Sequence, residues 1–335
     1  MRRTLVPALL LALAAATAQA QPQVQVPDTT YVPRVAKPAF TKRHPVVMVD
    51  EAHHNLFTIA GLYRGLAALL EADGLRVVPG VQPFSRPLLD GCEILVVADA
   101  SGAERPDVPT ARNPAFRPSE CDVVRDWVRE GGSLLLIADF APFASAMDSL
   151  ARRFGVDMGK SYAVDTRRVD PEMNNIGCIL YTRALGMLGD HPILRGRDRE
   201  ERIERVTTFS GQSLAGPRGS RGLLRMGPSS WDVPFTQDSR RETDPRARAR
   251  ADTTSVPVTP GSVPAMGRFQ GPAFAFGRGR VVVLGDGAML AAQWLLGDEA
   301  RRRGRDYLPI GLSRPDLDNE QFALNVVRWL GRALD

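Results

Sequence analysis

Aspartate ends four short apolar runs of this chain, where a buried strand would give way to a loop. The four residues are Asp50, Asp99, Asp139 and Asp286. In a parallel α/β sheet, ligands bind in the crevice outside the carboxyl ends of the strands. We therefore expect these carboxylates to converge on a cleft that binds a divalent metal ion or a polar, sugar-like ligand.

The loop after the first of these runs adds two imidazoles to the predicted cleft. The expected lining residues are Asp50, Glu51, His53, His54, Asn55, Asp139, Asp286, Asp318 and Asn319. The candidate metal ligands are Asp50, His53, His54 and Asp286, and no other cofactor is predicted. A structural alternative stays open, because an aspartate at a strand-to-helix junction often only caps the following helix.

Motifs for nucleophilic catalysis and dinucleotide binding are missing from the sequence. There is no G-x-S-x-G elbow. Gly277-Arg278-Gly279 precedes a predicted strand instead of opening a helix, which indicates a hairpin turn.

The elements that would position these side chains alternate between strands and helices. Continuous apolar runs predict strands at 46–49, 75–78, 93–98, 133–138 and 281–284, and helical spacing predicts helices between most of them. Ser119 is predicted to cap one helix and Asp318 to cap the last one, with Gln321 at its third position. Strands without polar alternation, separated by amphipathic helices, indicate a doubly wound α/β fold with a mostly parallel sheet and helices on both faces.

The domain organisation begins with a predicted signal peptide at 1–20, with cleavage after Ala20, which implies a periplasmic or secreted protein. A Pro-rich extended linker or surface strap is expected at 21–45. Residues 46–335 are predicted to form one domain with a flexible insertion at about 236–264, because that segment has no apolar period. The three cysteines, Cys92, Cys121 and Cys178, are expected to be buried thiols.

Charge and hydropathy exclude two classes of partner. The formal net charge of +5 falls to +3 without Arg2 and Arg3 of the predicted leader, and the arginines are interleaved with acidic residues. Nucleic-acid binding is therefore not expected. No run of about 20 apolar residues exists, so we expect no membrane span in the mature chain.

Four stretches of the chain occur in a familiar order: 46–55, 131–139, 279–286 and 318–330. They resemble the class I glutamine-amidotransferase-like superfamily. Within it, the similarity is to uncharacterised bacterial domains related to the gliding-motility ABC-transporter auxiliary component. The resemblance covers residues 46–155 and 270–335 and implies a flavodoxin-like fold.

This chain departs from the catalytic members of that superfamily. Those enzymes carry a cysteine in a strand-to-helix elbow, whereas the candidate elbow here carries Asp139. Glutamine amidotransfer is therefore not expected. The sequence favours a non-catalytic domain that binds a small polar ligand or an envelope protein at the strand ends. The alternative is a hydrolase, with or without a metal ion, acting on a carbohydrate or cell-envelope substrate.

Overall fold

The computed structural model describes residues 24–234, 260–297, 300–301 and 304–335. The predicted signal peptide and most of the predicted insertion at 236–264 lie outside the described residues. In chain order the strands are β1 (Val24–Pro27), β2 (Val46–Asp50), β3 (Arg76–Gly80), β4 (Ile94–Ala98), β5 (Ser133–Ile137), β6 (Asp157–Met158), β7 (Tyr162–Asp165), β8 (Leu180–Thr182), β9 (Arg205–Thr207), β10 (Leu214–Ala215), β11 (Arg221–Gly222), β12 (Ser230–Val233), β13 (Val263–Pro264), β14 (Pro272–Phe276), β15 (Gly279–Leu284), β16 (Ala292–Leu296) and β17 (Tyr307–Gly311). The helices are α1 (Arg64–Ala72), α2 (Arg86–Leu89), α3 (Pro118–Arg129), α4 (Phe143–Arg153), α5 (Pro192–Arg195) and α6 (Asn319–Leu330), with 3-10 turns at Pro109–Arg112 and Ala288–Leu290.

The central sheet has seven strands in the order β11-β14-β15-β5-β4-β2-β3. The five strands from β15 to β3 run parallel, and β14 and β11 are antiparallel additions at one edge. The fold is therefore α/β with a mostly parallel sheet. The strand order reverses between β2 and β4, which lie side by side, and ligands of open α/β sheets bind at such a switch point.

Two hydrophobic cores cover the two faces of this sheet, because successive strand side chains point to opposite faces. Val47 and Val96 pack in the core that contains residues of α1 and α6. Met48 and Val97 pack in the other core, with residues of α3 and α4. The apolar strands need both faces covered, which explains why their sequences show no polar alternation.

Residues 24–45, predicted to be a linker, lie against the domain. β1 pairs antiparallel with β16, which in turn pairs with β17. The Tyr31 hydroxyl donates a hydrogen bond to Glu320 Oε2 at 2.7 Å, and Phe40 is buried. The segment is thus fixed by pairing at its start and by buried contacts near its end.

Several local expectations are confirmed. The five predicted parallel strands form, Phe276 pairs with Gly279 across the predicted hairpin turn, and the three cysteines are buried. Within the described residues, no helix has the length and apolar character needed to cross a membrane.

Neither predicted side-chain cap forms, although Asp318 is the N-cap residue of α6 as predicted. Helix α3 begins at Pro118, so Ser119 lies inside its first turn. The Asp318 carboxylate makes no cap hydrogen bond to α6. It instead accepts hydrogen bonds from two backbone N–H groups at the start of β9. Glu204, just before the strand, donates at 2.7 Å, and Arg205, its first residue, donates at 2.9 Å.

Candidate functional site

Three aspartates follow neighbouring parallel strands at the carboxyl edge of the sheet. Asp99 comes directly after β4, Asp139 two residues after the end of β5, and Asp286 two residues after the end of β15. Asp99 and Asp286 have no exposed surface, whereas Asp139 is half-buried. Asp139 is therefore the one residue with exposed surface in this group of three, which is called the carboxyl cluster below.

Backbone N–H groups hold the carboxyl cluster in place. Asp99 Oδ1 accepts a hydrogen bond from the Asp139 N–H at 2.8 Å, and Asp139 Oδ1 accepts one from the Gly287 N–H at 2.7 Å. Asp286 accepts from the N–H groups of Met289 and Phe209. The second oxygen of Asp99, Oδ2, is buried without a hydrogen-bond partner. A buried oxygen of this kind is costly when charged, which favours a proton at this position.

The carboxyl cluster has strongly perturbed acidities. Burial raises the pKa of Asp99 to about 8, and the charge of Asp286 adds to the shift. Burial, together with the charges of Asp99 and Asp286, raises the pKa of Asp139 well above its usual value. Burial also raises the pKa of Asp286 to about 6, although backbone N–H groups oppose the rise. The carboxyl cluster therefore retains protons near neutral pH.

A second buried group lies beside the carboxyl cluster, after β2. His53 Nδ1 lies 2.9 Å from both carboxylate oxygens of Asp50, and His53 Nε2 lies 3.0 Å from Glu120 Oε1. The rings of Phe84 and Phe116 pack on the imidazole at centroid distances of 4.7 and 4.8 Å. Both ring nitrogens are thus occupied by carboxylates in an otherwise apolar setting.

This arrangement favours the imidazolium form of His53. Burial alone lowers the pKa of His53, but the hydrogen bonds and charges of Asp50 and Glu120 outweigh it, and the pKa is raised. Burial acts to raise the pKa of Glu120, but hydrogen bonds from the Arg117 N–H, from His53 and from the Phe84 N–H lower it. The imidazolium therefore lies between two carboxylates and bridges them.

Asn55 connects the two groups. Its Nδ2 donates to Asp50 Oδ2 at 3.0 Å and to the backbone carbonyl of Ala98 at 3.2 Å, next to Asp99. The Ser101 N–H also donates to the His53 carbonyl at 3.0 Å. These bonds lie across the β2–β4 switch point and tie the two groups together.

The segment 209–212 covers the carboxyl cluster from the side of β15. Gln212 Nε2 donates to the carbonyl of Ala138 at 2.8 Å, and the Gln212 N–H donates to the Gly285 carbonyl. Ser210 has a φ of 86°, which is rare for a residue other than glycine, and its Oγ lies 3.2 Å from the Tyr162 hydroxyl. Such strain is found often at functional sites.

The structure brings some predicted residues together and separates others. Asp50, His53 and Asn55 form one group, and Asp139 and Asp286 belong to the carboxyl cluster. His54 is exposed, and the Glu51 carboxylate accepts a hydrogen bond from the Ile59 N–H at 2.7 Å. The remaining two predicted lining residues bond to backbone around β9: Asp318 to Glu204 and Arg205, and Asn319 to Thr207 and to the Met289 carbonyl.

The four proposed metal ligands do not form one coordination set. Among the described residues, no group of three or more His, Cys, Asp and Glu is arranged to hold a metal ion. Both nitrogens of His53 already contact carboxylates, and Asp286 is held by backbone donors.

Glu120 is the residue of the His53 group that the sequence analysis does not predict. Its Oε2 accepts a hydrogen bond from the Arg117 N–H, so it is the third residue of a capping box at the start of α3. The predicted cap at Ser119 lies two residues after the observed cap, Arg117. With the cap at Ser119, Glu120 does not stand at the third helical position, so the capping box is not recognised. Pro118 at the first helical position is the residue that indicates the correct start.

Comparisons with known proteins give fold information only. No known family profile matches the sequence, and no curated protein matches it. The chain is similar in structure to the mmIFT52 N-terminal domain, with a TM-score of 0.53 and 15% identity over 85% of this chain and 97% of that chain. It is also similar to cytoplasmic protein STM1381 from Salmonella typhimurium LT2, with a TM-score of 0.41 and 14% identity over 72% and 87% of the two chains. A ThuA-like protein from Bacteroides uniformis ATCC 8492 gives a TM-score of 0.36 and 10% identity over 89% and 94% of the chains. The first of these likenesses shows a shared fold.

Proposed function

We propose that this chain binds a small polar ligand at the carboxyl ends of β4, β5 and β15, through the carboxyl cluster. The observation that carries the proposal is the half-buried Asp139 beside the fully buried Asp99, whose Oδ2 has no partner. No cationic side chain among the described residues contributes to the pKa values of the three carboxyls. Perturbed titratable groups at a strand-end crevice are a recognised mark of a binding or active site.

The chemistry of the ligand follows from the protonation of the cluster. A carboxyl group that keeps its proton donates one hydrogen bond and accepts others, so hydroxyl groups suit it as partners. The ligand we favour carries several hydroxyl or amine groups, such as a sugar or a polyol. A protein partner that inserts a polar side chain would satisfy the same groups.

The family proposal rests on topology. The five parallel strands follow the order β3-β2-β4-β5-β15, which matches the flavodoxin-like order and supports a doubly wound arrangement. We propose on this basis, and on the sequence motifs, that the chain belongs with class I glutamine-amidotransferase-like domains related to the gliding-motility transporter component. Asp139 occupies the candidate elbow and the three cysteines are buried, which argues against amidotransfer.

A hydrolase is the second candidate, favoured by one observation. The carboxyl cluster contains groups whose pKa values lie apart, about 8 for Asp99 and about 6 for Asp286. A carboxylic acid and a nearby carboxylate at one pH are the groups that glycoside hydrolysis requires. Asp139 is the residue of the carboxyl cluster with exposed surface, so it would contact the substrate.

Export is proposed from residues 1–20, whose charged start, apolar segment and A-x-A pattern are typical of a signal peptide. N-terminal sequencing of the protein made in a bacterial host tests this. A mature chain that begins at Gln21 supports export, and an intact Met1 in the cytoplasmic fraction contradicts it.

A thermal-shift screen tests ligand binding. Sugars, polyols, amino acids and divalent ions would be added to the wild type, to Asp139→Asn and to the control Asp107→Asn, whose carboxylate is exposed. We expect one ligand class to raise the Tm of the wild type and the control but not of Asp139→Asn. A panel without any shift, or a shift retained in Asp139→Asn, would contradict the proposal. Hydrolysis of chromogenic glycosides or esters that is lost in Asp139→Asn would favour the hydrolase.

A further inference from the structure

A cavity of about 580 Å³ opens at the far edge of the central sheet, along β14. Its walls are the end of α4 with Arg153, the loop 217–221, and Trp329 of α6. Ala275 on its floor pairs with Arg280, which pairs with Ser133, the first residue of β5. The cavity therefore lies at the amino ends of the parallel strands, away from the carboxyl cluster.

The floor of this cavity is an open strand edge. β11 pairs with β14 only at Pro272 and Ala273, and no described strand continues that pairing along 274–276. In the two-residue hairpin, Phe276 lies opposite Gly279 and forms the hydrogen-bonded pair that closes the turn. Hydrogen-bonded and outward-facing residues alternate along an antiparallel strand, so the N–H and C=O of Ala275 face outward. Ala275 is exposed, which leaves both groups available to an added strand.

Both sides of the edge offer apolar contacts for alternating side chains. On one side, the Phe276 ring packs against Phe154 at a centroid distance of 5.0 Å. On the other, Trp329 lies against His191 at 4.8 Å. Peptides that add a strand to a sheet gain affinity from backbone hydrogen bonds and specificity from pockets of this kind.

Arginine gives the cavity a positive charge. Arg218 and Arg221 are exposed, and Arg221 donates only a long hydrogen bond of 3.3 Å to the Asp190 carbonyl among the bonds of the described residues. The pKa of His191 is lowered to about 4, chiefly by burial, and the charges of Arg221, Arg195 and Arg280 act in the same direction, with Asp190 opposing them. The field at the cavity wall is therefore positive, which favours an acidic partner.

We propose that the β14 edge binds an extended peptide with acidic side chains as an added antiparallel or parallel strand. The outward N–H and C=O of Ala275 would make the backbone hydrogen bonds. Acidic side chains would meet Arg218 and Arg221, and the apolar side chains that alternate with them would contact Phe276 or Trp329, whichever lies on their side of the strand. The exposed backbone groups favour a peptide over a small anion, since a small anion would use the arginines alone.

Fluorescence anisotropy with a labelled peptide tests this on the full chain. The probe is a peptide of about eight residues that alternates valine and glutamate. The comparison peptide has lysine in place of glutamate. Ala275→Pro removes the outward N–H and leaves the pairing with β15 intact, and Ala275→Ser is its control. Arg218→Glu with Arg221→Glu reverses the charge, and Arg199→Glu, an exposed arginine elsewhere, is the matched control.

We expect the acidic peptide to bind and the lysine peptide not to bind. Ala275→Pro and the double charge reversal should each weaken binding about tenfold or more, with no effect of the two controls. Thermal unfolding shows whether each variant is folded. If Ala275→Pro is not folded, strand addition is tested instead by the charge reversal and by peptides that are methylated at their backbone nitrogens, which cannot donate backbone hydrogen bonds.

Four results would overturn the proposal. Binding of the peptide that Ala275→Pro leaves unchanged excludes strand addition. Competition by inorganic phosphate at equal concentration indicates a small-anion site. Self-association that Ala275→Pro abolishes indicates a second copy of this chain as the occupant. The absence of peptide binding indicates that the arginines only prevent other chains from pairing with the exposed β14 edge.

Discussion

The backbone N–H of Asp139 donates a hydrogen bond to Asp99 Oδ1 at 2.8 Å, joining the ends of two adjacent parallel strands. Asp99 adopts a left-handed backbone conformation, with φ of 45°, to accept it. Aspartate tolerates that conformation better than most residues, but at a cost in stability of about 1 kcal/mol. A strained backbone and a buried carboxyl with a raised pKa both lower the stability of the fold. Their presence at Asp99 therefore supports a functional role.

Replacement of Asp99 should change how stability depends on pH. The pKa of Asp99 is raised from 3.8 to about 8, so the folded state binds its proton more tightly than the unfolded state. The wild type therefore loses stability as the pH rises between these values, and Asp99→Asn lacks this loss. We expect the free energy of unfolding of the variant, relative to wild type, to rise by roughly 3–4 kcal/mol from about pH 5 to about pH 8. Urea unfolding measures it, and an equal difference at both pH values would contradict it.

His53 should respond to the loss of Glu120. The raised pKa of His53 means that its ion pairs stabilise the protein fully below the unfolded pKa of 6.5 and cease to do so as the pH rises through the folded value. Glu120→Gln removes one of the two charges, so the imidazole should titrate at lower pH than in the wild type. NMR titration of the His53 ring measures this, with the exposed Glu71→Gln as control. An unchanged titration would show that Glu120 does not set the charge of His53.

The buried ion pair of Arg328 and Asp73 should contribute most to holding the segment 24–45 against the domain. Arg328 donates to both oxygens of Asp73 at 2.7 and 2.9 Å, and Asp73 also accepts the Ala39 N–H at 2.8 Å. Arg328→Met leaves the Asp73 carboxylate buried without its cation, at a cost of about 3 kcal/mol. Urea unfolding tests this beside Arg112→Met, an exposed arginine that should cost almost nothing. Equal effects of the two variants would refute it.

The close approach of 209–212 to the carboxyl cluster makes Gly211 irreplaceable. A methyl group there would lie 2.2 Å from the Gly285 carbonyl oxygen and 2.9 Å from Asp286 Cβ. Gly211→Ala should displace the segment and destabilise the protein by about 1–3 kcal/mol. Gly227→Ala is the matched control, because nothing lies within 4 Å of its added carbon. Similar unfolding midpoints for the two variants would contradict this, because they would show that the segment 209–212 moves to accommodate the methyl group without loss of stability.

The central sheet was predictable because its strands are buried on both faces. The runs at 46–49 and 133–138 are apolar without alternation, and short runs of this kind between amphipathic helices are typical of a covered parallel sheet. The middle of the chain is harder to predict, since β11 comprises only Arg221 and Gly222. Two-residue strands are set by tertiary pairing and leave no periodic signal.

The candidate site was predictable in part. The positions of Asp139 and Asp286 follow from strand ends, which the apolar runs define. The partnership of His53 with Glu120 spans 67 residues and depends on where the start of α3 lies relative to the loop after β2, which no local sequence pattern indicates. The same holds for Asp318, whose carboxylate bonds to the chain before β9 instead of to its own helix.

The central claim is that the carboxyl cluster keeps protons at neutral pH at the mouth of a ligand site. Carbon-13 NMR of aspartate carboxyl groups, with Asp99→Asn and Asp139→Asn for assignment, measures it directly. We predict that the Asp99 or Asp139 signal of the wild type keeps the chemical shift of a protonated carboxyl at about pH 7 and moves only above it. Titration of Asp99, Asp139 and Asp286 all near the ordinary value of 3.8 would contradict the account.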